Sequence, residues 1–133
     1  MILFIVNTRD AHRLNALLEL ALAFPEPLTA LQIATRKGIP AQFLSRLLAE
    51  LAREGVVASR RGARGGVRLA RRPDQLSLAE LLSRVAPAAH SGLAVRFVEQ
   101  RLAEARSRAL AGLSLADLQD LERAAAASAD YVI

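Results

Sequence analysis

Six arginines and no acid lie between Glu54 and Asp74, in the stretch GVVASRRGARGGVRLARRPD. Guanidinium groups at that density suit polyanions: they fork onto phosphate oxygens and onto the acceptor edge of guanine, and they stay charged at physiological pH. Arg60, Arg61 and Arg64 stand among Gly62, Gly65 and Gly66, so backbone as well as charge can approach a phosphate or enter a narrow minor groove. A second set precedes them. Gln42, Ser45 and Arg46 share one side of a predicted helix, where an amide, a hydroxyl and a guanidinium can read base edges in a major groove. Taken alone, each set also fits a plain solvated surface.

Other chemistry has little to work with. The chain contains no cysteine, which excludes disulfides and thiolate ligation of zinc or an iron–sulfur cluster. Its two histidines, His12 and His90, are far apart in sequence with no acid cluster beside them, so no metal site and no cofactor are expected. Ser45 and Ser59 have no histidine base at a recognisable spacing, and RRGARGG leads into a strand rather than a helix, unlike a phosphate-cradling loop. No catalytic residue is assigned.

The elements that position these groups follow from the surrounding pattern. Pro40 suits a first helical turn, and Phe43, Leu44, Leu47, Leu48 and Leu51 give the helix one apolar face. Gln42, Ser45, Arg46 and Glu50 fall largely on the other. Gly55 supplies a left-handed stop, Val56, Val57 and Ser59 favour a strand, and Val67 to Leu69 returns from the arginine–glycine turn. Upstream, Thr29 and Gln32 are spaced as a capping box for a helix from Ala30 to Lys37, ended by Gly38. These two helices and the hairpin have the layout of a winged helix-turn-helix.

Before them, Ile2–Val6 is β-prone. Thr8 can cap a helix with a Leu14, Leu17, Leu18, Ala21 and Leu22 stripe, ending near Phe24. After the hairpin, Ser77 and Glu80 suggest a cap for a helix to about Val85, and APAAHSG reads as a loop. A long helix is predicted from Leu93 to Leu110, with Ala94, Val98, Leu102, Ala105 and Ala109 as a coiled-coil-like seam. Little else in the chain can cover that seam, so a second copy is expected to. Gly112 breaks this helix, Ser114 caps a last one, and Tyr131, Val132 and Ile133 are again β-prone.

Charge sharpens the picture. Residues 36–72 hold ten basic side chains against two acids, Glu50 and Glu54, whereas the whole chain is only +5. A focused patch of that sign points to nucleic acid or an acidic membrane surface. Aromatics are 4% of the residues, too few for a base-stacking surface. MILFIV is too short to span a membrane and lacks a basic flank, so a cytoplasmic protein with no membrane partner is expected.

The stretch LTALQIATRKGIPAQFLSRLLAELAREGVVASRRGARGGVRLARRPDQLSLAELL resembles the Rrf-two family of winged-helix transcriptional regulators, the IscR/NsrR-like group. The likeness is carried by Ile33–Ala34, Gly38–Ile39, Phe43–Ser45, Gly55, Ser59, Gly62, Gly65–Gly66, Leu69–Arg71 and Pro73, and covers about residues 9–120. Val67 replaces the aromatic residue expected after the wing glycines. The three cluster-binding cysteines of many members are absent from Ala86–Ser91.

The resemblance, added to the residues, tips the balance towards DNA. It implies a mainly α fold: a winged helix-turn-helix with a two-stranded wing, residues 1–86, and a long C-terminal dimerisation helix with its following segment, 87–133. The expected DNA-binding residues are Thr29, Pro40, Ala41, Gln42, Ser45, Arg46, Ser59, Arg60, Arg61, Gly62, Arg64, Gly65 and Gly66. Ala94, Val98, Leu102, Ala105 and Ala109 would join the homodimer. The implied protein is no enzyme but a regulator, read as a repressor, that binds a palindrome in double-stranded DNA. A small-molecule effector, unidentified, could sit between winged domain and dimer helix. The alternative is a protein-interaction module that turns the same basic surface to an acidic partner.

Overall fold

The computed structural model describes residues 7–61, 65–82 and 92–131. In order come α1 (Thr8–Ala23), α2 (Ala30–Lys37), α3 (Ala41–Arg53), β1 (Val57–Arg60), β2 (Gly66–Leu69), a 3-10 turn (Pro73–Gln75), α4 (Leu78–Leu82), α5 (Leu93–Ala109) and α6 (Leu115–Tyr131). The fold is a winged helix-turn-helix with a two-stranded wing and a long helix behind it, as expected.

Local chemistry sets most boundaries. Asn7 rather than Thr8 caps α1, its side chain accepting from the Asp10 N–H at 2.8 Å, so that Thr8 is already helical. Both arms of the Thr29/Gln32 box form, at 3.1 and 2.9 Å. Gly38 ends α2 at φ 63°, in the left-handed region that costs other residues a steric penalty. Pro40 is the residue ahead of the first turn of α3, where its carbonyl accepts from the Leu44 N–H at 2.9 Å. Gly55, at φ 75°, turns the chain from α3 into β1.

The wing pairs Val57 with Leu69, Ala58 with Arg68, Ser59 with Val67 and Arg60 with Gly66. With a period of two, Val57, Val67 and Leu69 turn to the core while Arg68 and Arg60 share the outer face. Leu28 bridges Val67 from the other edge of β2.

The core gathers Leu17, Leu20, Ile33, Leu44, Leu51, Leu69, Leu76 and Leu115, all essentially inaccessible to solvent. The buried side of α1 is Ala16, Leu17, Leu20 and Ala21, with Leu18 and Leu22 of the expected stripe half-buried. The apolar side of α1 is broader than one stripe because α2, β2 and α6 all pack on that helix.

The C-terminal helix returns to this core. The Leu78 N–H donates to the Leu113 carbonyl at 3.0 Å and the Leu115 N–H to the Leu76 carbonyl at 2.9 Å, and Gln119 Nε2 donates to the Ala21 carbonyl at 2.8 Å. Burying a leucine such as Leu115 contributes about 1.5–3 kcal/mol, enough to seat α6 on the winged domain. Gly112, at φ 79°, provides the break between α5 and α6. Tyr131, expected in a β-prone end, is the last residue of α6. Helix is the outcome because Ala124–Ala127 and Ala129, the strongest helix formers, carry α6 on to its end.

By contrast α5 buries no residue fully. Glu99, Ala103, Arg106 and Leu110 form its half-buried side, and Leu93, Val95, Phe97, Val98 and Leu102 are all exposed. Ile2–Val6, the end of the helix expected to reach Val85, the loop APAAHSG, the boundary at 86/87, and Val132–Ile133 lie outside the described residues. Among the described residues, no helix is long and apolar enough to cross a membrane.

Candidate nucleic-acid interface

Helix α3 is divided lengthwise. Leu44, Leu47, Leu48 and Leu51 are buried, and Ala41, Gln42, Ser45, Arg46, Ala49 and Arg53 are exposed. The sequence-predicted readers Gln42, Ser45 and Arg46 therefore stand together on the open face, flanked by small residues that keep it low. No side chain caps the first turn of α3, which leaves its first N–H groups for an outside acceptor such as a phosphate oxygen. Thr29 is exposed, but its hydroxyl already accepts from the Gln32 N–H. Any phosphate contact there would use what remains of that hydroxyl.

Glu50, expected on the polar face, turns instead to α1, where Arg9 donates to it at 2.8 Å. That hydrogen bond and the charge behind it hold the Arg9 guanidinium above its already high ordinary range. Beside it Arg13, buried, pairs with Glu54. Asp10, between them, accepts from Arg106 of α5 at 3.4 Å. His12 meets the Phe43 ring edge-on at 5.2 Å, which gives that histidine a packing role against α3.

In the wing, Arg60 and Arg61 are exposed at the end of β1, and Ser59 is exposed although its register position is on the core side. Gly66 opens β2 opposite Arg60, at the turn end of the hairpin: a Cβ there would stand 2.6 Å from the Leu28 carbonyl oxygen. Its absence of a side chain permits a backbone approach within the protein. Gly65 is half-buried beside it. Gly62 and Arg64, the expected tip residues, lie outside the described residues, as does His90.

The ion pairs sort the basic residues into two groups. Arg9, Arg13, Arg36, Lys37, Arg72 and Arg106 each have a carboxylate within 4 Å: Glu50, Glu54, Glu19 (shared by Arg36 and Lys37), Asp74 and Asp10. Among the described residues, Arg46, Arg53, Arg60, Arg61, Arg68 and Arg71 enter no ion pair. Within residues 7–82 the uncompensated charge thus belongs to the open face of α3, the wing and its exit; on the C-terminal helices Arg96, Arg101, Arg108 and Arg123 likewise enter no ion pair among the described residues. The only two acids of the basic stretch are each matched by an arginine from α1.

Sequence reasoning missed Arg68, Arg9 and Arg13. Arg68 was detectable, since a residue between buried Val67 and Leu69 must point outward. The arginine pair on α1 and the glutamate pair on α3 each have a spacing of four, the only hint of their relation.

The seam Ala94, Val98, Leu102, Ala105 and Ala109 is exposed along its length, on a different side of α5 from Glu99, Ala103 and Arg106. A cavity of about 20 Å³ lies between Arg9, Asp10, Arg13, Glu54, Leu81 and Leu82, room for one water-sized molecule.

Residues 6–121 match a family described as "Rrf2: Iron-dependent Transcriptional regulator". The chain is 42% identical over 84 residues to an rrf2-like HTH-type transcriptional regulator sequence of Rhodobacter capsulatus, covering 60% of this chain and 56% of that one. It spans about half the length of the curated relatives it matches. Among solved structures it is similar to IscR of T. potens, with a TM-score of 0.74 and 29% identity over 91% of this chain and 90% of that one. Similarity to CymR, titled the global cysteine regulator of B. subtilis, gives a TM-score of 0.67 at 26% identity over 90% and 98%.

Iron in that family description calls for donors that this chain does not offer in the usual form. It has no thiol, His12 is engaged with Phe43, and among the described residues no three His, Asp or Glu side chains converge. The residues do not fit a thiolate-held cluster.

Proposed function

The chain belongs to the Rrf2 family of transcriptional regulators, and from that membership we propose that it binds a palindromic operator as a homodimer. Helix α3 enters the major groove with Gln42, Ser45 and Arg46 towards the bases. The wing lies along the backbone and minor groove, with Arg60 and Arg61 on phosphate and Arg64 reaching inward. Two copies meet through the Ala94–Ala109 seam, which sets the half-site centres about one helical turn apart, roughly 34 Å. Repression by occupying a promoter requires nothing beyond these contacts.

The observation that carries this reading is the distribution of unpaired charge. The cations of α1 and α2 are paired with carboxylates, whereas those on the exposed face of α3 and on the adjoining wing enter no ion pair among the described residues and are left for a partner. That partner must be anionic along two adjoining surfaces, and it must offer acceptors to an amide and a guanidinium on a helix. Duplex DNA does both.

Selection from a random-sequence duplex pool tests it. The expected product is an imperfect palindrome. Enrichment of no palindrome would instead favour a basic surface turned to an acidic protein.

A further inference from the structure

Helix α1 presents Arg9 and Arg13 one turn apart, and α3 with its C-terminal cap residue presents Glu50 and Glu54 one turn apart. The two helices join through both rungs, Arg9 to Glu50 at 2.8 Å and Arg13 to Glu54. The rungs differ in setting. Arg9 and Glu50 keep 58% and 33% of their side-chain surface, while Arg13 and Glu54 keep 5% and 16%. The Arg13 Nε is buried and has no hydrogen-bond partner among the described protein atoms.

Stability alone does not account for the inner rung. A buried ion pair usually returns little net stability over an apolar pair of similar volume. What two rungs a turn apart do supply is register. A slip of α3 by one residue would move it about 1.5 Å along its axis and turn it by about 100°, which breaks both pairs together. Gln42, Ser45 and Arg46 are carried on the same rigid helix and turn with it. The pairs also mask the only two carboxylates of the basic stretch.

We propose that Arg9 and Arg13 are positioning residues for operator reading: they fix the rotation and height of α3 on the scaffold, and so the aim of its exposed side chains. The proposal rests on the reading of α3 as the helix that enters the major groove.

The test compares operator binding with binding to a non-specific duplex of equal length. Arg13→Met/Glu54→Met replaces the inner rung with apolar side chains of similar reach. Its thermal midpoint should equal or exceed that of the parent, and its operator-to-non-specific affinity ratio should fall about tenfold, with the salt slope on non-specific DNA unchanged. Arg9→Gln/Glu50→Gln removes the outer rung, where both side chains reach solvent and folding is not at stake; the same ratio should fall about threefold. A parental ratio in the outer-rung variant and in the folded inner-rung variant overturns the proposal, as does an equal loss on both duplexes. A parent protein that shows no operator preference would instead overturn the DNA-reading function itself.

Discussion

Leu28 and Val67 exchange both backbone hydrogen bonds, Leu28 N–H to Val67 oxygen at 2.8 Å and Val67 N–H to Leu28 oxygen at 2.7 Å. Through this bridge β2 of the wing is pinned to the residue just ahead of the α2 cap, Thr29. The start of the helix-turn-helix and the wing therefore share one rigid reference, although all of α2 and α3 lies between Leu28 and Val67 in sequence.

Gly66 makes that bridge possible. It sits at φ 153°, a conformation L side chains rarely adopt, and an added Cβ would lie 2.6 Å from the Leu28 oxygen and 2.9 Å from its carbonyl carbon. Neither neighbour is a flexible side-chain end, so the backbone itself must move. Gly66→Ala is expected to cost about 1–3 kcal/mol in urea unfolding. Gly55→Ala, with open space around its Cβ but a φ of 75°, should carry only the conformational part of that cost. An unchanged midpoint for Gly66→Ala would show that the bridge yields easily.

How far these features could be read in the sequence depends on how local their causes are. The α2–α3 pair and the wing were legible because Thr29, Gly38, Pro40 and Gly55 act on their immediate neighbours. The open face of α3 was legible from helical spacing alone. The rungs from Arg9 and Arg13 to α3 were not, because a spacing of four on each helix does not say which helices will meet. Nor was the seating of Leu115 among core residues, since Leu115 and the exposed Leu121 look alike until α6 has a neighbour. Glu50 shows the same limit: periodicity placed it on the polar face, and tertiary pairing drew it to α1.

Iron chemistry gives a second prediction. With no thiol in the chain, reconstitution with iron and sulfide under anaerobic conditions should yield no stoichiometric cluster and no visible charge-transfer band. Operator affinity should then be the same before and after mild oxidation, since Met1 is the only sulfur present. A cluster at one equivalent would require oxygen or imidazole ligation, and His90→Ala would be the first variant to make.

The dimer prediction turns on a contrast between one chain and two. Val98 and Leu102 are 55% and 57% exposed in the single chain, so a glutamate there should leave the monomer's stability within about 0.5 kcal/mol. In the proposed dimer the same carboxylate is buried without a partner, which costs several kcal/mol. Val98→Glu and Leu102→Glu should therefore be folded by circular dichroism yet monomeric in sedimentation at micromolar concentration, where the parent should be dimeric. Dimers that persist in both variants would place the interface elsewhere.

The last prediction separates charges that look alike in the sequence. Arg36 and Arg60 both belong to the basic stretch, but Arg36 is held by Glu19 at 3.4 Å whereas Arg60 enters no ion pair among the described residues. Binding to DNA releases about 0.9 counterion per phosphate neutralised, so the slope of log affinity against log salt counts the cations in contact. Arg60→Ala or Arg61→Ala should lower that slope by about one unit and weaken operator and random duplex alike. Arg36→Ala should leave it nearly unchanged. Arg46→Ala and Gln42→Ala should act differently again, costing about 1–3 kcal/mol on the operator and relaxing base preference at a few positions. The decisive comparison is Arg36 against Arg60: equal slopes for the two variants would mean that the Glu19 pairing opens on binding, and that the scaffold cations contribute to the DNA contact as well.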